Sequence, residues 1–282
     1  MSLLGRIRAA IGSASTHSPS RYAVMVFTGI ILLWSLILWL PISAAPGRTT
    51  AYHEALFTAV STICVTGLAV VDMGAHWSTF GQVMIFVGLE VGAVGVLTLA
   101  SILGTIVTRR LGLRQRLIAA SDGNPARLHR GAVAESQAVR LSEVGGVLAT
   151  IAVSLVLIQS VIAVLILPTF IASDAYERWW EAVAHAFYYA ASAFTNTGFA
   201  PNPEGIAVFG DDAWFLGMLA VGTFVGALGF PVIFALVRWV RTRQRLGVHV
   251  RLTLITTTVL LVVGGALIWL LEHDNPATIG GE

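Results

Sequence analysis

The sequence contains no lysine, a single cysteine and few charged residues. All 17 basic residues are arginine, and charged residues make up 11% of the 282 positions, against about 25% in an average soluble domain. So few charges cannot cover the surface of a soluble globule. Because Cys64 is the only cysteine, no disulfide can form within the chain.

Apolar residues, which make up 56% of the sequence, are concentrated in long runs. A helix needs roughly 20 apolar residues to cross a bilayer, and five runs reach or nearly reach that length. They are Tyr22–Leu40, Phe80–Val107, Val144–Leu167, Trp214–Val237 and Leu252–Leu271. The first run is longer than the roughly 7–15 apolar residues of a signal peptide. The pattern predicts an all-α membrane protein with five spanning helices.

The arginines are distributed unevenly between the segments that separate these runs. Fifteen precede the first run or lie between runs two and three or runs four and five; only Arg48 and Arg178 lie elsewhere. The positive-inside rule therefore predicts a cytoplasmic N-terminus, with segments 41–79 and 168–213 outside. The expected location is the plasma (inner) membrane. The outside segments are acidic, which fits either an ordinary charge bias between leaflets or a vestibule that concentrates cations.

Two stretches of the sequence recur. Ala59, Ser61, Thr66 and Gly67 return 131 residues later as Ala190, Ser192, Thr197 and Gly198. The glycines Gly88, Gly92 and Gly95 return 134 residues later as Gly222, Gly226 and Gly229. The organisation is a duplicated unit of spanning helix, outside segment and spanning helix. The glycine series is typical of close packing between membrane helices.

Each outside segment contains an apolar stretch too short to span a bilayer, Ala51–Ile63 and Trp180–Phe194. A re-entrant helix of this kind directs the negative end of its dipole at the membrane interior, which favours a cation there. The carbonyls that follow must face protein or a polar pore, and a ring of carbonyls can replace the hydration shell of potassium. Gly67 and Gly198 allow the backbone angles needed to turn carbonyls toward one axis. The alternative is an ordinary outside loop with a glycine turn.

Three segments carry a family resemblance. Residues 57–68 (FTAVSTICVTGL) closely resemble the first pore loop of the Ktr/Trk/HKT potassium transporters, and His185–Phe187 with Ser192–Phe199 resembles the second. Asn275–Thr278 resembles the stretch before the third pore loop. The resemblance implies four such units around one pore, each with one filter glycine, and favours the Ktr-like branch.

The resemblance also implies the site. The expected selectivity filter consists of Cys64, Val65, Thr66, Gly67 and Leu68 in the first loop, and Thr195, Asn196, Thr197, Gly198 and Phe199 in the second. Potassium is expected to bind through the backbone carbonyls of Val65, Thr66, Asn196 and Thr197. Some members of the family couple to or depend on sodium.

The resemblance further implies a domain layout. Residues 1–21 are the cytoplasmic N-terminus, 22–108 the first helix–pore–helix unit, and 109–143 a cytoplasmic linker. Residues 144–240 form the second unit, and 241–282 a cytoplasmic loop, the first helix of a third unit and an outside tail. The expected partners are the lipid bilayer, a second copy in a homodimer and a cytoplasmic nucleotide-binding regulatory subunit (TrkA/KtrA-like), but no nucleic acid.

Several alternatives stay open. The chain stops at Glu282, before any third pore loop, so we expect a chain truncated after two of four repeats that does not conduct alone. A secondary transporter that binds another small solute between broken helices is a second possibility. An enzyme is disfavoured, because His53, His76 and His185 have no spaced acid or nucleophile in a spanning helix. Glu90, an acid in a spanning run, should face the interior as a structural partner or along a cation path.

Overall fold

The described part of the protein is built from helices joined by loops. A computed structural model describes residues 19–110, 141–173, 176, 178–243 and 245–275, and within these ranges it contains eight α-helices and no β-strand. The helices are α1 (Pro19–Trp39), α2 (Tyr52–Ile63), α3 (Thr79–Arg110), α4 (Leu141–Ala172), α5 (Trp179–Phe194), α6 (Ala213–Leu228), α7 (Phe230–Thr242) and α8 (Val248–Glu272). Short 3-10 turns cover Pro41–Ser43 and Gly205–Phe209. The all-α prediction is confirmed.

Parts of the predicted layout lie outside the described residues. They are most of the N-terminal segment 1–21, most of the linker 109–143, and residues 276–282 with most of the stretch that resembles the approach to a third pore loop.

Several of the helices are apolar enough to cross a membrane. By length and composition, three described segments qualify as spans: Thr79–Val96, Ile151–Ala172 and Val248–Glu272. The pair α6 and α7 would make a fourth if it counts as one broken span, and the apolar part of α1, Val24–Trp39, is shorter. A multi-pass membrane protein is therefore supported, and the number of five spans stays a prediction.

The fourth apolar run differs from its prediction. Hydropathy placed Trp214–Val237 in a single span, but the chain forms α6 and α7 with a break at Gly229, whose φ is +74°. Pro231 lies in the first turn of α7 and has no amide hydrogen to donate to the carbonyl four residues earlier. A glycine followed by a proline thus ends one helix and starts another inside a continuous apolar run.

The described residues form two compact units. The first contains α1, α2, α3 as far as Gly104, α4, α5 and α6 as far as Ala227. The second contains Thr105–Arg110 and the described residues from Leu228 onward, including α7 and α8. Both short helices and both glycine loops belong to the first unit.

The core of the first unit joins the two sequence repeats. Ala55 and Ala59 of α2 pack in one buried cluster with Leu38 of α1, Tyr188 of α5 and Phe199, which follows α5 in the chain. All are buried, and α2 presents only small side chains to this cluster, so neighbouring backbones can approach closely. This packing holds the ends of α2 and α5 in the same region of the unit.

Acidic side chains of the predicted outside segments hold backbone amides. Glu54 accepts from the Ala51 amide at 2.8 Å and caps the start of α2. Asp72 accepts from the amides of Gly74 and Ala75 at 2.9 and 2.7 Å. Asp212 caps α6, and a hydrogen bond from the Thr169 hydroxyl is the main reason that the pKa of its carboxyl lies below the ordinary value. These carboxylates have structural roles at helix and turn starts.

Candidate functional site

The first short helix ends in a tight turn built from its own hydrogen bonds. The Thr66 amide donates to the Ser61 carbonyl at 2.8 Å, and the Val65 amide donates to Thr62 at 3.2 Å. This pair of bonds is the Schellman motif, which requires a left-handed residue after the helix. Val65 takes that conformation with a φ of +55°, which is unusual for a β-branched residue.

The second short helix ends in the same way. The Thr197 amide donates to Ser192 at 2.9 Å, and the Asn196 amide donates to Ala193 at 3.1 Å. Asn196 is left-handed with a φ of +59°, a conformation that asparagine tolerates well. The repeat seen in the sequence is therefore a repeat of backbone structure.

The two glycines follow the turns at matching positions. Gly67 has a φ of +77° and Gly198 a φ of +81°, so each loop has two positive-φ residues separated by one residue. Only glycine adopts this region without a steric penalty. The predicted need for glycine at both positions is met by the geometry, and their part in ion binding stays a prediction.

In the part of the chain that the structure describes, the carbonyls of the two loops have no protein donor. Among the described residues, no hydrogen bond reaches the carbonyl oxygens of Val65, Thr66, Asn196 or Thr197. Backbone carbonyls that lack a protein donor need water or an ion as partner. The loops thus offer four backbone acceptors of the kind that can coordinate a dehydrated alkali cation.

The loops lie against each other. A Cβ built on Gly67 would overlap the Thr197 carbonyl oxygen, whereas a Cβ on Gly198 would meet nothing within 4 Å. Thr197 and Phe199 are buried, while Leu68 is 60% exposed and Cys64 is also exposed. The structure therefore brings the two predicted filter segments together at Gly67, with unequal surroundings for their glycines.

The glycine series in α3 and α6 makes room for the ends of the short helices. A Cβ on Gly92 would overlap the carbonyl of Ile63, the last residue of α2. A Cβ on Gly226 would overlap the carbonyl of Phe194, the last residue of α5. These contacts are equivalent in the two repeats, so close helix packing is confirmed at Gly92 and Gly226, whereas Gly229 lies at the break between α6 and α7.

Sequence reasoning missed a connection between the segments that follow the loops. A Cβ on Gly74 would overlap the backbone of Asn202 and Pro203. The Gln82 side chain, near the start of α3, donates from Nε2 to the carbonyls of Gly74 at 3.2 Å and Pro201 at 3.3 Å. Gln82 therefore ties the two repeats together just beyond the candidate filter. A lone glutamine near a helix start gives no sequence signal of such a role.

Glu90 has a partner inside the helix bundle. Gln159 of α4 donates from Nε2 to Glu90 Oε1 at 2.8 Å, and Gln159 is fully buried. The bond joins the second span of one repeat to the first span of the next. It supports the structural interpretation of this acid and leaves the cation-path interpretation untested.

Two of the histidines, His76 and His185, take part in local hydrogen bonds. His76 lies 3.0 Å from the Thr50 hydroxyl, and His185 Nδ1 lies 3.0 Å from the Tyr176 hydroxyl, which also contacts Asn202. The described part of the chain holds no cluster of three or more His, Cys, Asp or Glu side chains placed to bind a metal ion. The backbone oxygens named from the sequence stay the predicted cation ligands.

The chain is similar in sequence to known cation transport proteins. A family model described as TrkH, cation transport protein, matches residues 15–273. Ktr system potassium uptake protein B of Vibrio alginolyticus is 32% identical over 92% of this chain and 53% of its own length. The protein of the same description from Bacillus subtilis is 28% identical over 93% of this chain and 55% of its own. The potassium/sodium uptake protein NtpJ of Enterococcus hirae is 25% identical over 93% and 54%. The chain spans about half the length of the curated relatives it matches.

Proposed function

The chain belongs to the TrkH family of cation transport proteins, and on that premise we propose that it takes part in potassium uptake by supplying two of four filter strands. The observation that carries the proposal is the pair of equivalent loops at the ends of α2 and α5, each with two positive-φ residues and with carbonyls that accept no hydrogen bond from the described residues. Three relatives are named as potassium or potassium/sodium uptake proteins.

The proposed mechanism follows from the backbone. Residues 64–68 and 195–199 line the path, and the carbonyls of Val65, Thr66, Asn196 and Thr197 replace water around potassium. The C-terminal ends of α2 and α5 add the negative end of the helix dipole beside the ion. Since the ligands are main-chain atoms, selectivity depends on how firmly each loop backbone is held.

Two strands cannot surround an ion, so the proposal includes a complete ring of four. The family resemblance supports four repeats in one pore, and the relatives are about twice as long as the matched region. We propose that the working protein lies in the plasma membrane with a cytoplasmic N-terminus and forms a homodimer. Its proposed regulator is a nucleotide-binding TrkA/KtrA-like subunit on the cytoplasmic side, and sodium is a proposed second cation.

Potassium uptake tests the proposal directly. The chain is expressed in a bacterium that lacks its own potassium uptake systems, both alone and fused to the half of the Vibrio alginolyticus relative that it does not match. Rubidium tracer influx and growth on low potassium are measured, with membrane insertion confirmed by immunoblot. We expect the fusion to restore uptake. A fusion that inserts normally and carries no rubidium would refute the proposed function.

A further inference from the structure

The two loops are fixed to their neighbouring spans in different ways, and the difference lies at one residue. Val65 and Asn196 occupy equivalent left-handed positions after α2 and α5. A valine side chain can only pack, whereas an asparagine side chain can also exchange hydrogen bonds with backbone groups. The surroundings of Asn196 use that capacity.

The Asn196 amide meets the last turn of α6. With its nitrogen and oxygen assigned to complementary partners, Nδ2 donates to the Thr223 carbonyl at 3.2 Å and Oδ1 accepts from the Ala227 amide at 3.2 Å. Residues 223 and 227 are four apart, so these are the two backbone groups of a single α-helical hydrogen-bonding pair. The side chain of a loop residue is thus attached to the backbone of a span.

The packing at Gly226 makes this attachment possible. A Cβ on Gly226 would come within 2.9 Å of the end of the Asn196 side-chain amide and would also overlap the Phe194 carbonyl. At the equivalent Gly92 in the first repeat, the three nearest atoms all belong to the backbone of Ile63. The second loop therefore has a polar anchor that the first loop lacks.

We propose that the Asn196 side chain is a positioning residue, which sets the selectivity of the second filter strand by fixing it to the last turn of α6. This inference rests on the proposed function and adds a side-chain role to a residue whose carbonyl alone was assigned. The ligands are backbone carbonyls, so a strand that drifts loses the fixed separation that distinguishes potassium from sodium. It follows that selectivity in the second strand depends on the integrity of one helical turn.

Two variants separate the side chain from the backbone conformation. Asn196→Gly keeps the left-handed φ and removes the amide, and Asn196→Asp keeps the shape but replaces the donor with an acceptor that faces the Thr223 carbonyl. Loss of one net hydrogen bond should speed hydrogen exchange at the Ala227 amide about fivefold in Asn196→Gly. Exchange is measured by mass spectrometry on the full chain in lipid nanodiscs, on peptides covering residues 220–228.

A matched control comes from the same loop. Asn202→Asp makes the same chemical change six residues later, where the amide contacts the Tyr176 hydroxyl and not α6. It should leave exchange in the last turn of α6 at the wild-type rate. The fusion described above provides the second readout, in which both Asn196 variants should lower the ratio of rubidium to sodium uptake about fivefold while inserting normally.

The outcomes are distinct. Faster exchange at Ala227 in Asn196→Gly, together with reduced selectivity in both Asn196 variants, supports the proposal. Unchanged exchange in Asn196→Gly overturns the anchor, and faster exchange with unchanged selectivity overturns the positioning role. If the wild-type fusion carried no rubidium, the proposed function and with it the selectivity role would fail, whereas the exchange comparison would still decide whether the anchor exists.

Discussion

The carbonyl oxygen of Thr197 occupies the place where a side chain at Gly67 would begin. The contact is between two backbones, so neither partner can move aside by rotating a side chain. The equivalent glycine of the second loop, Gly198, has open space around it. These two glycines match in sequence position and in φ, but they differ in whether a side chain would fit.

The first prediction compares substitutions at these two glycines. Gly67→Ser should impair both folding and potassium selectivity severely, because a Cβ would force the Thr197 carbonyl away. Gly198→Ser should cost on the order of 1–2 kcal/mol, the penalty of a left-handed non-glycine residue, and weaken selectivity less. Thermal denaturation in nanodiscs and cation competition in the fusion measure the two effects. Unchanged selectivity in both variants would refute the filter assignment.

The second prediction concerns the spans that pack on the short helices. Gly92→Ala and Gly226→Ala should each destabilise the protein by about 1–3 kcal/mol, because the new methyl group overlaps the carbonyl of Ile63 or Phe194. Gly217→Ala is the matched control, since a Cβ there meets nothing within 4 Å. Unfolding in mixed detergent gives the comparison. Equal stability of all three variants would contradict the close packing.

The third prediction addresses the seam between repeats. Gln82→Glu should lower the free energy of unfolding by roughly 1–3 kcal/mol, because a carboxylate has no hydrogen to donate to the carbonyls of Gly74 and Pro201. Gln82→Met, similar in length but without donors or charge, should cause a smaller loss. Thermal unfolding ranks the three proteins. A glutamate variant as stable as the wild type would show that the Gln82 hydrogen bonds do not hold the two repeats together.

The fourth prediction is a dependence of stability on pH. Burial, with a smaller contribution from Arg48, holds the pKa of His76 below the ordinary histidine value, against the opposite effects of Glu54 and Asp72. The folded state therefore binds a proton at His76 less readily than the unfolded state. Stability contributed by the neutral ring is complete above the unfolded pKa, near 6.5, and is lost as the pH falls below it.

His76→Gln tests this prediction, because glutamine can still contact the Thr50 hydroxyl but has no group that titrates near neutral pH. The measurements run from about pH 8 to about pH 5, which brackets the unperturbed histidine pKa. The difference in unfolding temperature between wild type and variant should shift in favour of the variant as the pH falls. A constant difference across that range would rule out His76 as the titrating group.

The fifth prediction fixes the orientation. In a Cys64→Ser background, cysteines at Ala120 and Arg245 should be protected from an impermeant external thiol reagent, and a cysteine at Glu204 should react. Glu204 is preferred to its neighbour Gly205, whose φ of +63° disfavours a cysteine. Labelling is measured on intact cells and repeated after lysis to show that all three thiols are reactive. The reverse pattern would mean that the topology is inverted.

The short helices were predictable because their signals are local. The apolar stretch Ala51–Ile63 corresponds to α2 within one residue at its start, and Trp180–Phe194 corresponds to α5 equally well. The repeat of glycines and threonines indicated that both loops share one backbone. The break at Gly229 was missed because hydropathy counts apolar side chains and does not register a proline that interrupts hydrogen bonding.

The contacts between repeats could not be predicted from the sequence. The approach of Gly67 to Thr197 and the bonds of Gln82 depend on where two distant segments meet, which no local pattern encodes. The left-handed Val65 is also invisible to propensity, since β-branched residues avoid that region. The helical turn and its Schellman bonds impose it. Glu90 was expected to face inward, but only the structure identifies Gln159 as its partner.

Each Schellman turn is closed by bonds that span no more than five residues, from Ser61 to Thr66 and from Ser192 to Thr197. During synthesis, the first turn can therefore form as soon as α2 has formed, while the second repeat is still being synthesised. The contact of Gly67 with Thr197 bridges 130 residues and has to wait for the second repeat. The first loop would then form before the second loop and provide the surface against which the second loop packs.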